Sequence, residues 1–350
     1  MKTSFVSNLA IQTAMRLTIQ QTQAELMRRT QESTTGIHYD IGLTLGASTA
    51  RSLNLQREMD RMASMKGTNA VVTQRLSASQ GALETMQKAA EKVRDTLVTY
   101  KGNDSVDAMK ILKSEVNGAL QIFTSAANTS FNGEFLFSGI NTDVKPLAEY
   151  NSVPTSAAKA AFDTALNDYK TANGITDMSQ FTPTQMQDFI TTKLEPMFMG
   201  ADWDANWSDA SNQNMTSRIS ASEVIESSTN ANTKSFRMFA LASVISSELM
   251  DENVNSQVRA TLNTAAFGYM EQAIAGLNGE RSSLGISESR VKKATTSIEA
   301  QEKLVKTHII DVNGIDQEEN ATRVNLLKTQ LDTSYALTSR LQQMSLLNYL

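Results

Sequence analysis

Residues 55–100 read LQREMDRMASMKGTNAVVTQRLSASQGALETMQKAAEKVRDTLVTY, and their apolar side chains recur with a period of seven. One row is Leu55, Met62, Asn69, Leu76, Leu83, Ala90 and Leu97; three residues on, a second is Glu58, Met65, Val72, Ser79, Met86, Val93 and Tyr100. Eleven of these fourteen positions are apolar, against eight of the other thirty-two. That is an a/d seam sustained over more than six heptads, and it predicts a long helix packed in coiled-coil fashion. At 1.5 Å per residue such a helix runs roughly 70 Å.

The far end of the chain repeats the pattern. Met270, Leu277, Leu284, Val291, Ile298, Val305 and Val312 stand at intervals of seven; Phe267 and Ile274 widen the stripe, while Arg281, Glu288 and Glu302 narrow it. Met109, Leu112, Val116, Leu120 and Phe123 imply another helix over 104–130. Three helices in two distant segments predict a bundle drawn from both halves of the chain. All four prolines (Pro146, Pro154, Pro183, Pro196) lie between these arms, so nothing interrupts long helices on either side. Within the middle, 155–172 and 182–195 read as short helices, with Asn173-Gly174 as the stop between them. Partial alternation over 215–238 suggests a hairpin, with its turn at 230–232.

The two ends of the chain differ from the arms. Residues 8–35 offer Ile11, Met15, Ile19 and Leu26 at helical spacing among many Gln and Thr. Residues 320–350 offer Val324, Leu327, Leu331, Tyr335, Leu341 and Met344, interrupted by Ser334 and Thr338. Both are amphipathic but too polar to build a core alone, so they need partners.

Composition removes several function classes. Thirty-two basic and 37 acidic residues give a net charge of −5, which argues against a nucleic-acid binder. Zero cysteines exclude disulfides, thiolate metal sites and a cysteine nucleophile; His38 and His308 are the only histidines. No run approaches the ~18 apolar residues of a membrane span. The richest stretch, 236–250, is broken by Arg237, Ser243, Ser246, Ser247 and Glu248. Asn8 and Gln12 fall where a signal peptide needs its apolar run, which points to a chain that stays inside or leaves without a cleaved leader.

Chemistry is equally sparse. Asp202-Trp203-Asp204-Ala205-Asn206 opens like an EF-hand loop, but Trp207 stands at the turn glycine and Gln213 at the closing glutamate. A polar loop anchored by its tryptophans is the better reading. Phosphate-loop, dinucleotide, zinc-protease and serine-hydrolase signatures are missing. Gly36, Gly42 and Gly46 read as bend residues, and Asp316, Glu318 and Glu319 suit the start of the last helix. Met62, Met65, Met86 and Met270 sit on seams, so packing accounts for them. No catalytic residue, cofactor or metal is expected, and the chain reads as no enzyme.

Four stretches in order give the chain a resemblance. Phe131-Asn132-Gly133-Glu134-Phe135-Leu136-Phe137-Ser138-Gly139 looks like the FNG motif of the bacterial flagellin family. The continuation Ile140-Asn141-Thr142, with Pro146-Leu147, is similar to its hook–filament junction branch, the third hook-associated proteins. Arg281-Ser282-Ser283-Leu284-Gly285 with Arg290 resembles the family's R-x-x-L-G-x-x-x-x-R. Ile315-Asp316 through Ala321-Thr322, then Met344-Ser345-Leu346-Leu347, resembles its terminal segment. Ser33-Thr34-Thr35-Gly36-Ile37-His38 departs from the family in lacking an arginine.

The resemblance implies a mainly α fold: an elongated, coiled-coil-like bundle built from both arms, with a small inserted outer domain. Residues 1–40 with 313–350 would form a terminal core domain, 41–140 with 206–312 the heptad bundle, and 141–205 the insert. It also implies a structural subunit of an extracellular flagellum, exported by the type III route without a cleaved signal. Its expected partners are copies of itself in a ring, another hook-associated protein, filament flagellin, the export apparatus and an export chaperone; neither nucleic acid nor membrane insertion is expected. Ile11, Met15, Ile19, Leu26, Val324, Leu327, Leu331, Leu341 and Met344 would be buried between subunits, completing the fold on assembly. Filament flagellin itself is the nearest alternative. A helical signalling module, or an enzyme or calcium-binding domain in 141–215, is a more distant one.

Overall fold

The computed structural model describes residues 8–103, 105–251 and 253–347, with side chains outside the description at 8, 9 and 341–347. Helices dominate: α1 (Asn8–Thr35), α2 (Ile41–Leu45), α3 (Thr49–Thr99), α4 (Val106–Ala127), α5 (Ala157–Ala172), α6 (Pro183–Phe189), α7 (Glu195–Met199), α8 (Asp202–Asn206), α9 (Lys234–Val244), α10 (Ser256–Asn313) and α11 (Gln317–Leu347). The strands described form two antiparallel hairpins, β1–β2 (Ser130–Phe131, Glu134–Phe135) and β3–β4 (Thr216–Arg218, Val224–Glu226). The chain divides into two compact units, Met1–Ser64 with Ile298–Leu350, and Met65–Ser297.

The larger unit is built on the heptads. Val72, Leu76, Leu83, Met86, Ala90, Val93 and Leu97 of α3 are buried, as are Met270, Leu277, Leu284 and Val291 of α10. Ser105 caps α4 by accepting from Ala108 N at 3.3 Å, and Leu112, Val116, Leu120 and Phe123 face the core. α9 fills the centre: Phe236, Phe239, Leu241, Ala242 and Val244 are fully buried, and Phe239 stacks on Phe123 with ring centroids 3.8 Å apart. A helix apolar on all sides belongs either in a membrane or in the middle of a core. Here the near-membrane hydropathy of 236–250 is explained by burial within protein.

The inserted segment shares this core rather than forming one of its own. Trp203, Trp207, Phe198 and Tyr150 form an aromatic cluster, with Trp203 stacked on Trp207 at 5.5 Å and Tyr150 on Trp207 at 5.1 Å. The expected 182–195 helix is α6, which continues through a wide π turn at Ile190–Leu194 into α7. Asn173 caps α5 as expected, with Gly174 at φ +68° beyond it.

The second hairpin exists but turns elsewhere. Ser217 pairs with Ile225, and the chain reverses over 219–223, not 230–232. Residues 230–232 lie buried between the hairpin and α9. The polar seam residue Asn69 explains the placement: its Nδ2 donates to Ile219 O at 3.0 Å and to Thr295 Oγ1 at 3.2 Å, holding the turn between α3 and α10.

In the smaller unit α1 and α11 form an antiparallel pair. Asn320 Nδ2 donates to Arg29 O at 2.8 Å, while Thr338 lies against Met15 at the other end. The joint beside the pair is closed by backbone bonds, His38 N to Asn313 O (2.9 Å) and Ile315 N to Gly36 O (3.1 Å). Glu32, buried here, accepts from Tyr39 N at 2.9 Å and Arg29 Nη1 at 3.0 Å. Gly36 and Gly46 take positive φ as bend residues should, but Gly42 lies inside α2, which Asp40 caps through Leu43 N.

Candidate assembly surface

The terminal pair has a seam and an outside. On α11 the seam runs Asn320, Val324, Leu327, Leu331, Ser334 and Thr338, alternating steps of four and three. Leu327 and Leu331 are each 7% exposed, and Val324 is half-buried. Across from them α1 offers Ile11, Met15, Ile19 and Leu26, all half-buried, and Thr22, which is buried. The hydroxyls cause no loss, because Thr22 and Thr338 donate to the carbonyls four residues back at 2.8 and 2.7 Å. Leu327 and Leu331, expected to be buried between subunits, are covered by α1 within a single copy. The side chains of Leu341 and Met344 fall outside the described residues.

The outside of the pair carries apolar residues that the seam pattern passes over. Leu17 and Met27 on α1, with Leu326, Tyr335 and Leu337 on α11, are exposed, Met27 by 69% and Leu326 by 59%. Leu326 and Leu337 are eleven residues apart, three helical turns, and share one face. Tyr335 OH accepts from Gln23 Nε2 at 2.6 Å, so its polar end is satisfied while its ring stays outside. The sequence reading named Tyr335 but passed over Leu17, Met27, Leu326 and Leu337, because it asks which apolar positions fit the seam. The informative ones here are those that do not.

The motif residues of the larger unit act as brackets. Asn132 (φ +53°) and Gly133 (φ +84°) form the two-residue turn between β1 and β2, the Asn-Gly combination that a tight hairpin favours. Phe131 packs against the core from β1. Buried Arg75 of α3 pairs with Glu134 and donates to Phe135 O at 3.2 Å. Gly139 (φ +63°) lets the chain lie against 211–213; a Cβ there would sit 2.5 Å from Ser211 O and 2.6 Å from Gln213 O. Arg281 Nη1 donates to Gln87 Oε1 at 2.6 Å, and its carbonyl accepts from Gln80 Nε2, tying α10 to α3. Leu284 is buried one turn on, beside Gly285. Arg290 Nε donates to Glu223 Oε1 at 2.8 Å and holds the second hairpin's turn.

No centre of chemistry emerges among the described residues. The EF-hand-like stretch is α8, with Asp204 paired to Arg237 at 3.5 Å and Arg237 lying 5.4 Å over the Trp203 ring. Among the described residues no three acidic or histidine side chains converge as a metal cluster, and no helix is long and apolar enough to cross a membrane. His38 lies 3.9 Å from Glu32 in the joint, and His308 is exposed on α10.

Long heptad helices from both ends of the chain, an Asn-Gly hairpin after α4 and a terminal helix pair define a class of protein, and comparison identifies it. Residues 6–142 match the model of the bacterial flagellin N-terminal helical region, and residues 267–350 that of the bacterial flagellin C-terminal helical region. The chain belongs to the bacterial flagellin family, whose members are structural subunits of the flagellum. Its fold is similar to a solved structure from Vibrio parahaemolyticus whose provisional name is flagellar hook-associated protein. The identity is 13% and the TM-score 0.53, over 77% of this chain and 99% of that one. No curated protein matches the chain.

Proposed function

We propose that this flagellar subunit joins hook to filament, and that it assembles there through its terminal helix pair. The observation that carries this reading is the set of large apolar side chains, Leu17, Met27, Leu326, Tyr335 and Leu337, left outside a pair that already covers its own seam. Burying each is worth roughly 1.5–3 kcal/mol, so neighbouring copies that cover them gain a large driving force. Half-buried Ile11, Met15, Ile19, Leu26 and Val324 complete their burial in the same contacts, and the stripe continues in sequence to Leu341 and Met344. Its partners are copies of itself in a ring, another hook-associated protein on one side and filament flagellin on the other. An export apparatus and chaperone deliver it outside the cell. The role is structural and uses no cofactor.

Two features favour the junction over the filament. The Gly139-Ile140-Asn141-Thr142 continuation is similar to that branch, and the fold is shared with a protein that carries a hook-associated name. Immunogold labelling of intact flagella separates the two. A single band at the distal end of the hook supports the junction; label along the whole filament makes this chain filament flagellin.

A further inference from the structure

Residues 227–235 read SSTNANTKS, with a single apolar side chain, yet Ser227 through Asn232 and Ser235 are all buried. Such a segment survives inside a core only if its polar groups are bonded. Met215 N donates to Ser228 Oγ at 2.8 Å, Asn230 Nδ2 to Asn214 Oδ1 at 2.8 Å, Asn232 Nδ2 to Ala210 O at 2.7 Å and Ala231 N to Phe137 O at 2.8 Å. The remaining tie runs to α10. Gly276 allows close approach, since a Cβ there would lie 2.8 Å from Ser235 Cβ. One turn further on, Glu280 Oε1 accepts from Ser235 Oγ at 2.5 Å and Oε2 from Thr229 Oγ1 at 3.0 Å, and the Thr233 hydroxyl bonds to it as well.

We propose that Glu280 is a proton-controlled latch fastening the 227–235 segment to α10. Its carboxylate is held by hydroxyls and, among the described residues, by no cation. Arg281, next on the helix, turns to Gln87 and Glu84 of α3; on the segment's side Lys234 is exposed and Arg237 turns to Asn232 O, Phe198 O and Asp204. Burial pushes the Glu280 carboxyl above its ordinary value of 4.5, against the three hydroxyl bonds, which favour the ionised form. A raised folded-state value makes the contribution fully present below about 4.5 and lost as pH rises through the raised value. The latch is tightest with the carboxyl protonated and loosens as pH rises above about 4.5, the reverse of common acid unfolding.

The test uses the full chain and its Glu280→Gln variant, with denaturant midpoints and amide hydrogen exchange followed from about pH 5 to 8. As pH rises, the wild type should lose stability relative to the variant. Protection of the 227–235 amides, corrected for intrinsic exchange, should fall in the wild type alone, by up to about tenfold per pH unit. Parallel profiles would overturn the latch. Ser235→Ala gives an independent arm, because it removes a donor to the ionised form and leaves Cβ in place. Its stability loss should run on to higher pH than in the wild type, since the onset is set by the unfolded carboxyl and only the folded value rises, and an unmoved profile would also overturn the proposal.

Discussion

Gly139 and Gly133 both have positive φ within one motif, but their surroundings differ, and the difference can be measured. A side chain at Gly133 meets nothing within 4 Å, whereas one at Gly139 meets two backbone carbonyls below 3 Å. Gly133→Ala should cost the left-handed strain alone, about 1 kcal/mol, and Gly139→Ala clearly more, about 3 kcal/mol or above. Gly285 is the control: it has ordinary helical φ and free contact distance, so Gly285→Ala should be neutral or stabilise by up to ~1 kcal/mol. Urea midpoints of the three variants check the order, and equal losses at 133 and 139 would contradict it. The motif was legible in sequence; the reason for its last glycine was not, because 211–213 is some seventy residues away. Asp202 through Asn206, read from sequence as a polar loop rather than a calcium site, fold as a short helix, with Asp204 paired to Arg237. Chelator should therefore leave the melting temperature unchanged, and a drop of several degrees with EDTA would refute this.

At the scale of elements, period decided what could be read. The seam of α3 was legible because Met62 through Leu97 use a uniform spacing of seven, and even polar Asn69 belongs to it as the anchor of the second hairpin. The hairpin's turn was misplaced because 227–232 has a loop composition, and only the surrounding partners reveal that it is buried. α9 shows the same limit, since periodicity does not say whether an apolar helix is enclosed by lipid or by protein. In the terminal pair the seam was legible and its cover was not. Leu331→Asp should unfold the α1–α11 pair, since it puts a charge into a buried seam and removes roughly 1.5–3 kcal/mol of burial. Leu326→Asp with Leu337→Asp changes only exposed positions and should leave the pair's stability within ~0.5 kcal/mol. Circular dichroism and limited proteolysis of the monomers distinguish the two, and equal damage from both would show the outer residues to be structural.

Over the whole molecule, two units carry different burdens. The larger, Met65–Ser297, holds the contiguous core, including the insert, and is built to fold within one copy. The smaller has a thin seam and leaves several large apolar side chains exposed, so under the proposed function its full stability depends on the copies that cover them. The central claim is that this exterior drives assembly. It is tested most directly by counting flagellar filaments by electron microscopy in cells carrying Leu326→Asp with Leu337→Asp, with the exported protein measured in the medium. The account predicts an exported, folded subunit and few or no attached filaments. Normal filament numbers with normal export would contradict it.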